Sequence, residues 1–252
     1  MSTLQHWLDL FHLSALMCAA HRRLVLEGVR RRLLAEQPCR VVSTNLVEAG
    51  VDVDFPVVYR AMAGLESLAQ AAGRCNREGR LPNKGEFFVF RSGGNPPGSL
   101  RFHRDTAEMM VTARPDLDLF ASETFREYFD RLYAFQNLDS QRIQPMRENL
   151  CFRDVATQFR MIDDSGAAVF VAFDDRARKG LDQLRYAGPS RECLRRLQPY
   201  TVNIYPDALK QLHARGAVEL LHESFHVLVE DASYDSDLGL LLDRSPFALT
   251  TA

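Results

Sequence analysis

Residues 43–77, STNLVEAGVDVDFPVVYRAMAGLESLAQAAGRCNR, constrain this chain more than any other stretch. Cys39 to Thr44 is a short apolar run ending in two hydroxyls, the pattern of a buried parallel strand. Ligands collect at the carboxyl ends of strands in open α/β sheets, which is where Ser43 and Thr44 fall. Their hydroxyls and amides suit a phosphate. Gly50 lets backbone approach a ligand, and Asp52 can accept a ribose hydroxyl. Phe55 to Tyr59 reads as a second buried strand, and Glu66 to Arg77 as a helix. On that helix Gln70, Arg74 and Arg77 stand at i, i+4 and i+7, one face carrying an amide and two guanidiniums. Guanidiniums stay charged and pair bidentately with phosphate, so the face suits charge developing on a transferred γ-phosphoryl group. Two arginines on a helix are more often a solvated face. The strand end and the arginine helix in this order and spacing are the more specific signal.

The two parts of the stretch, Ser43 to Asp54 and Gln70 to Arg77, resemble the last two sequence motifs of superfamily 2 nucleic-acid helicases. With HLSALMCAAHR at residues 12–22 and the tail YDSDLGL at 234–240, the chain is similar to one family within them. That family is the CRISPR-associated helicase–nuclease recruited by type I Cascade complexes, the likeness lying nearest subtype I-C. The resemblance implies a nuclease domain of HD type ahead of two RecA-like lobes that translocate on single-stranded DNA, with ATP and Mg between the lobes. It implies roles for Ser43 and Thr44 on the DNA backbone, for Gly50 and Asp52 on the nucleotide, and for Gln70, Arg74 and Arg77 on phosphates. Many members have Arg after the glutamine; here it is Ala71.

Other family parts are missing from the sequence. It has no G-x-x-x-x-G-K-[ST] phosphate loop, no DExx box and no His-Asp pair. The expectation is therefore a C-terminal part of the full enzyme, holding half of an ATP site and inactive alone. Its partners would be single-stranded DNA, Cascade and the missing N-terminal HD and first RecA-like domains, with ATP and Mg bound only in the complete enzyme. The rival class is a non-enzymatic, separately expressed subunit that binds nucleic acid or Cascade. Its motive is the long C-terminal half without a catalytic pattern.

The expected architecture is α/β: a partial RecA-like lobe with a parallel sheet over residues 1–95, a linker and helices over 96–150, and a small α/β accessory domain over 151–252. Composition fits a globular chain, 46% apolar and 25% charged, with net charge −2. Residues 1–95 hold 12 Lys and Arg against 9 Asp and Glu, the remainder 19 against 24, so the helicase-like part is mildly basic. Five scattered cysteines without a CxxC pair point to free thiols and a cytoplasmic setting. No run of about 18 apolar residues predicts a membrane span.

Residues 21–36 read as an amphipathic helix on Val25, Val29 and Leu33, its arginines a solvated face. Residues 86–91 read as a strand, and 92–98 as a Gly/Pro linker. Helices are expected over 100–112, 120–135, 175–187, 191–198 and 206–214. Strands are expected over 8–14, 156–162, 168–173 and 200–205, with a 165–166 turn and a hairpin of 217–221 with 225–229. The second helix is expected to turn Phe125, Tyr128, Phe129, Leu132 and Tyr133 inward. His222-Glu223-Ser224-Phe225-His226 matches HExxH, which chelates zinc only on a helix. Its flanks favour strands, where residues four apart lie roughly 13 Å apart, so no metal is expected. His103-Arg104-Asp105 lacks the following Asn of a kinase loop, Met110 standing there instead.

Overall fold

The computed structural model describes residues 9–48, 50–94, 96, 98–134, 137–159, 166–229 and 233–242. In chain order the early elements are β1 (Leu10–Leu13), α1 (Ala19–Leu34), β2 (Arg40–Ser43), β3 (Val57–Ala61), α2 (Leu65–Ala72) and β4 (Glu86–Phe90). A helical stretch follows: α3 (Ser99–Ala113), α4 (Ser122–Ala134), α5 (Ile143–Glu148) and α6 (Phe152–Gln158). The last part is β5 (Ala167–Phe170), α7 (Asp175–Ala187), α8 (Arg191–Leu197), β6 (Thr201–Ile204), α9 (Pro206–Ala214), β7 (Val218–Leu221), β8 (Phe225–Leu228), β9 (Tyr234–Asp235) and β10 (Gly239–Leu240). The fold is mixed α/β with parallel strand pairs. Its elements group into two units, Met1–Val47 with Ser165–Ala252, and Glu48–Asp164. This line runs elsewhere than the expected breaks at 95 and 150.

In the first unit β1 and β2 pair in parallel, from Leu10 opposite Arg40 to Leu13 opposite Ser43. The expected parallel strand is there, but it is not buried: Val42 is 59% exposed, because the sheet ends with two strands among the described residues. On α1, Val29 is buried with Val25 and Leu33 half-buried, while Arg23, Arg30 and Arg31 face outward, as the apolar row predicts. The second sheet has the order β6-β5-β8-β7, β5 running parallel to β8 and the other pairs antiparallel. Successive residues of β5 serve opposite faces. Val169 packs in the cluster with Cys18, Val202 and Leu212 of α9, and Phe170 in the cluster with Leu184 of α7 and Leu197.

Local chemistry sets the helix ends here. Asp174 accepts from Ala177 N at 2.8 Å and Ser190 from Cys193 N at 3.1 Å, each capping a helix start. Pro206 opens α9, where its missing N–H costs nothing.

The chain's last described residues grip its first. Tyr234 Oη accepts from Cys18 N at 3.1 Å and meets His21 Nδ1 at 3.0 Å. His21 is buried and stacks on Phe173, ring centres 4.7 Å apart. Leu240 N donates to Leu16 O at 2.8 Å. Gly239, at φ +84°, lies so close that a Cβ there would stand 2.5 Å from Leu16 O.

In the second unit β3 and β4 pair in parallel, Val57 opposite Glu86 through Ala61 opposite Phe90. One face packs Phe87 and Val89 against a core of Leu65, Leu68, Met110, Tyr128 and Leu132 drawn from α2, α3 and α4. The other face is open. Tyr59, 68% exposed, stacks on Phe88 at 5.0 Å, so this strand too is less buried than its composition predicts. Tyr128 and Leu132 turn inward as expected; Tyr133 does not, being 51% exposed against Phe129. The strand expected over 156–162 is corrected: Phe152–Gln158 is helical, with Asp154 in its first turn, where the helix dipole favours a carboxylate. Residues 160–162 of that stretch, Ser165 of the expected turn, and Leu8, Asn95, Pro97 and Phe135 lie outside the described residues.

Candidate nucleotide and nucleic-acid site

Ser43 ends β2, and its Oγ donates to the neighbouring Thr44 O at 2.8 Å. Thr44 is exposed, with its N–H given to Leu13 O at 3.1 Å. Both belong to the first unit; the remaining candidates belong to the second.

There the helix read over 66–77 stops at Ala72. Gln70 lies exposed in its last turn, and Gly73 is the C-cap. Arg74 and Arg77 therefore do not share a helix face with Gln70 by i, i+4, i+7 spacing. The chain instead turns back to run beside residues 54–56. Phe55 N donates to Arg74 O and Asn76 N to Phe55 O, both at 2.9 Å, around a parallel bridge between Phe55 and Cys75. Asp54 holds the turn by accepting from Arg77 N at 2.7 Å and Glu78 N at 3.2 Å. These pairings span about twenty residues, and no helix-stop signal stronger than Gly73 announces them.

The consequence is a tighter site than the helix reading implied. Arg74 Nη2 donates to Glu48 O at 2.9 Å, and Arg77 Nη1 to Asp52 Oδ1 at 2.6 Å. The loop bearing Gly50 and Asp52 thus holds both guanidiniums. Gly50 sits at φ +74° with open space where a Cβ would be, so its backbone conformation is what calls for glycine. The Arg77–Asp52 pair is exposed, 42% and 72%, and such pairs contribute little to stability. Two guanidiniums held at one loop, that of Arg77 exposed and that of Arg74 half-buried, are suited to an anion. Burial pushes the Cys75 thiol up, so it stays protonated beside them.

Three residues without an assigned role complete the site. Glu48 is buried, and its Oε2 accepts from Ser67 Oγ at 2.8 Å. Arg60 Nη2 donates to Ser67 Oγ at 2.8 Å and lies 2.7 Å from Glu48 Oε1 as an ion contact. Next to Ser67 on α2, Glu66 accepts from Tyr128 Oη at 2.7 Å and meets His103 Nδ1 at 2.6 Å. Burial pushes the Glu66 carboxyl up, but these two hydrogen bonds bring it below the usual carboxylate range. None of these pairings has a local sequence signal; an acid in the strand-end motif was the one available hint.

The HExxH stretch is a hairpin, as its flanks predict. His222 and Glu223 occupy the left-handed region, φ 47° and 57°, between β7 and β8. His222 Nε2 takes Leu184 O at 2.7 Å, while His226 Nδ1 meets His213 Nε2 at 3.2 Å. No helix of the described residues is long and apolar enough to cross a membrane. All five cysteines are free thiols.

The fold is similar to that of several solved chains. T. fusca Cas3 solved with AMPPNP superposes with a TM-score of 0.54 at 15% identity, over 87% of this chain and 32% of that one. A chain of a CRISPR RNA-guided surveillance complex, pre-nicking, superposes at 0.50 and 15% identity, over 88% and 34%. In sequence, residues 4–80 match the C-terminal model of the CRISPR-associated nuclease/helicase Cas3. The Cas3 nuclease/helicase of Haloferax volcanii is 27% identical over 193 residues, 65% of this chain and 20% of that protein. Residues 4–80 are thus similar in sequence to the C-terminal part of this helicase–nuclease family, and the fold is similar to that of its solved chains. The chain spans about a fifth of that curated relative and about a third of those solved chains.

Proposed function

We propose that this chain is the C-terminal fragment of an ATP-dependent superfamily 2 DNA helicase–nuclease of type I CRISPR interference. Residues 1–95 would belong to its second RecA-like lobe, 96–150 to a helical connection, and 151–252 to the accessory C-terminal domain. The fragment would supply half of an ATP site and part of the path of single-stranded DNA. The observation that carries this is the arginine turn folded onto the loop of Gly50 and Asp52, with Arg74 on Glu48 O and Arg77 on Asp52. The fold likeness to Cas3 chains and the match over residues 4–80 support the family side of the reading.

In the complete enzyme these side chains would act across the lobe interface. Asp52 holds the Arg77 guanidinium in place until a phosphate competes for it, and can itself accept a ribose hydroxyl. Arg74, anchored on a main-chain carbonyl, keeps its orientation. Gln70 offers an amide at the end of α2. ATP with Mg, when bound, supplies the phosphoryl group whose charge these residues would stabilise; the phosphate loop and acidic box absent from this sequence would come from the other lobe. Ser43 and Thr44 would position DNA through its backbone, without reading sequence. Docking to a Cascade complex is the matching role for the whole assembly.

The test is phosphate release with single-stranded DNA, for this chain alone and reassembled with a separately made N-terminal part. The expected result is DNA-stimulated turnover only in the reassembled enzyme. Turnover by the chain alone, abolished in Arg77→Ala, would overturn the fragment reading.

A further inference from the structure

The Glu48 cluster is an unusual thing to bury. A glutamate is buried and its arginine partner half-buried, side chains 9% and 25% exposed, yet their hydrogen bonding is incomplete. Among the described residues Glu48 Oε1 and Arg60 Nε have no aligned hydrogen-bond partner. Buried ion pairs recover their desolvation cost only when every lone pair and proton is used. Apolar residues of similar volume would serve stability as well or better here. Buried polar atoms left short of partners call for an explanation other than stability.

The geometry points to one. Glu48 ties three elements together. Its carboxylate holds Ser67 on α2 and Arg60 on β3, and its main-chain oxygen holds the Arg74 guanidinium. The carboxylate is fixed from two sides, which fixes the peptide whose carbonyl Arg74 uses. We propose that Glu48, Arg60 and Ser67 are positioning residues that set the orientation of Arg74 for phosphoryl transfer. Their action on the phosphate would run through the Glu48 carbonyl that Arg74 uses. The cluster also connects the loop that begins at Glu48 with the strand and helix that carry the arginine turn, so a shift of that loop is transmitted to Arg74. The inference rests on the reading of Arg74 as a phosphate-binding arginine.

The prediction concerns turnover, not binding. A misplacement of a positioning group by about 1 Å can cost roughly 10²-fold in rate. Ser67→Ala removes the bridging hydroxyl, leaving charges and volume almost intact. Glu48→Gln keeps the shape and removes the charge. Each is made in the reassembled enzyme, with thermal unfolding recorded, and compared with Arg74→Lys and with the double variants. The expected result is a fall of about 10- to 100-fold in kcat for Ser67→Ala, nucleotide affinity staying within about twofold. In the double variant with Arg74→Lys the second loss largely disappears, since residues acting through one another are non-additive. Full multiplication of the two losses, or Ser67→Ala turnover within about twofold of wild type, would overturn the proposal. If Glu48→Gln fails to fold, Ser67→Ala decides alone. If Arg74→Lys leaves turnover intact, the reading of the site fails instead, and that outcome is seen in the single variant before any double variant is made.

Discussion

The two units of this chain are held together differently. In the first unit the join of residues 14–21 to 234–240 is fit and neutral polar pairing, the Gly239 backbone against Leu16 and Tyr234 between Cys18 and His21, over the Val169 and Phe170 faces of one sheet; its charged contacts, such as Arg185 with Glu219 and Arg215 on the Leu241 and Leu242 carbonyls, lie outside those residues. In the second the critical contacts are charged: Glu48 with Arg60, Arg74 on Glu48 O, Arg77 with Asp52, and Glu66 between Tyr128 and His103. Close packing rewards a fold with stability and tolerates little change. Charge networks contribute less stability for the desolvation they cost, and they leave guanidiniums at a surface. The second unit carries its arginine turn on a charged scaffold, while the first closes residues 14–21 onto 234–240 by backbone fit and neutral pairing.

The comparison breaks most visibly at Gly239. A Cβ there meets a main-chain oxygen at 2.5 Å in a left-handed conformation, and neither problem is relieved by rotating a side chain. Gly239→Ala is expected to cost about 2–4 kcal/mol. Hydrogen exchange read by mass spectrometry should show the loss at residues 14–21 and 233–242, with 57–72 protected as before. Equal loss in both regions would mean that the units do not differ as described.

A smaller effect is expected in the second unit. Tyr128→Phe keeps the buried ring and removes the donor to Glu66 Oε2. Hydrogen bonds to charged groups contribute about 1.5–3 kcal/mol, which sets the expected loss in chemical denaturation. A loss under about 0.5 kcal/mol would show that the carboxylate finds another partner without cost.

Acidification should separate the units gently. Burial holds His21 below the ordinary histidine value, opposed by Ser236, Asp237 and Asp235, and lowered further by His12. Above about pH 6.5 folded and unfolded forms are both neutral. As pH falls below that, the unfolded chain takes the proton first, so the first unit loses stability. Glu66 is held below its ordinary value, so its contribution persists until pH falls through the carboxylate range near about 4.3. Protection around residues 14–21 should therefore weaken between these values before that around α2. His21→Phe should flatten the first slope. A simultaneous loss in both regions would contradict the assignment.

Elements with local signals were legible in the sequence. α7 has its Asp174 cap, α9 its Pro206, and the 218–228 hairpin its apolar flanks; each lies where the sequence predicts it. What was not legible is non-local. The turn at 74–78 looks like more helix until Asp54 takes the Arg77 and Glu78 amides. The first unit joins residues 14–21 to residues more than two hundred positions on, across Tyr234 and Gly239, and no composition shift marks such a union. Of the candidate residues, Arg74, Arg77, Gly50 and Asp52 meet at one loop of the second unit, while Ser43 and Thr44 lie in the first. The contacts of Glu48, Arg60 and Ser67 with that loop were not legible, because polar and charged side chains in an α/β sequence look the same whether solvated or buried.

The central claim is that Arg74 and Arg77 stabilise charge on a transferred phosphoryl group. The direct measurement is steady-state, DNA-stimulated ATP turnover by the reassembled enzyme, wild type against Arg74→Lys and Arg77→Lys, with nucleotide affinity determined separately. An ammonium lacks the planar fork of guanidinium, so lysine should not rescue. The account predicts a fall in turnover approaching about 10³-fold with affinity little changed. Turnover within about twofold of wild type in both variants, under ~0.5 kcal/mol, would make these arginines surface residues and contradict it.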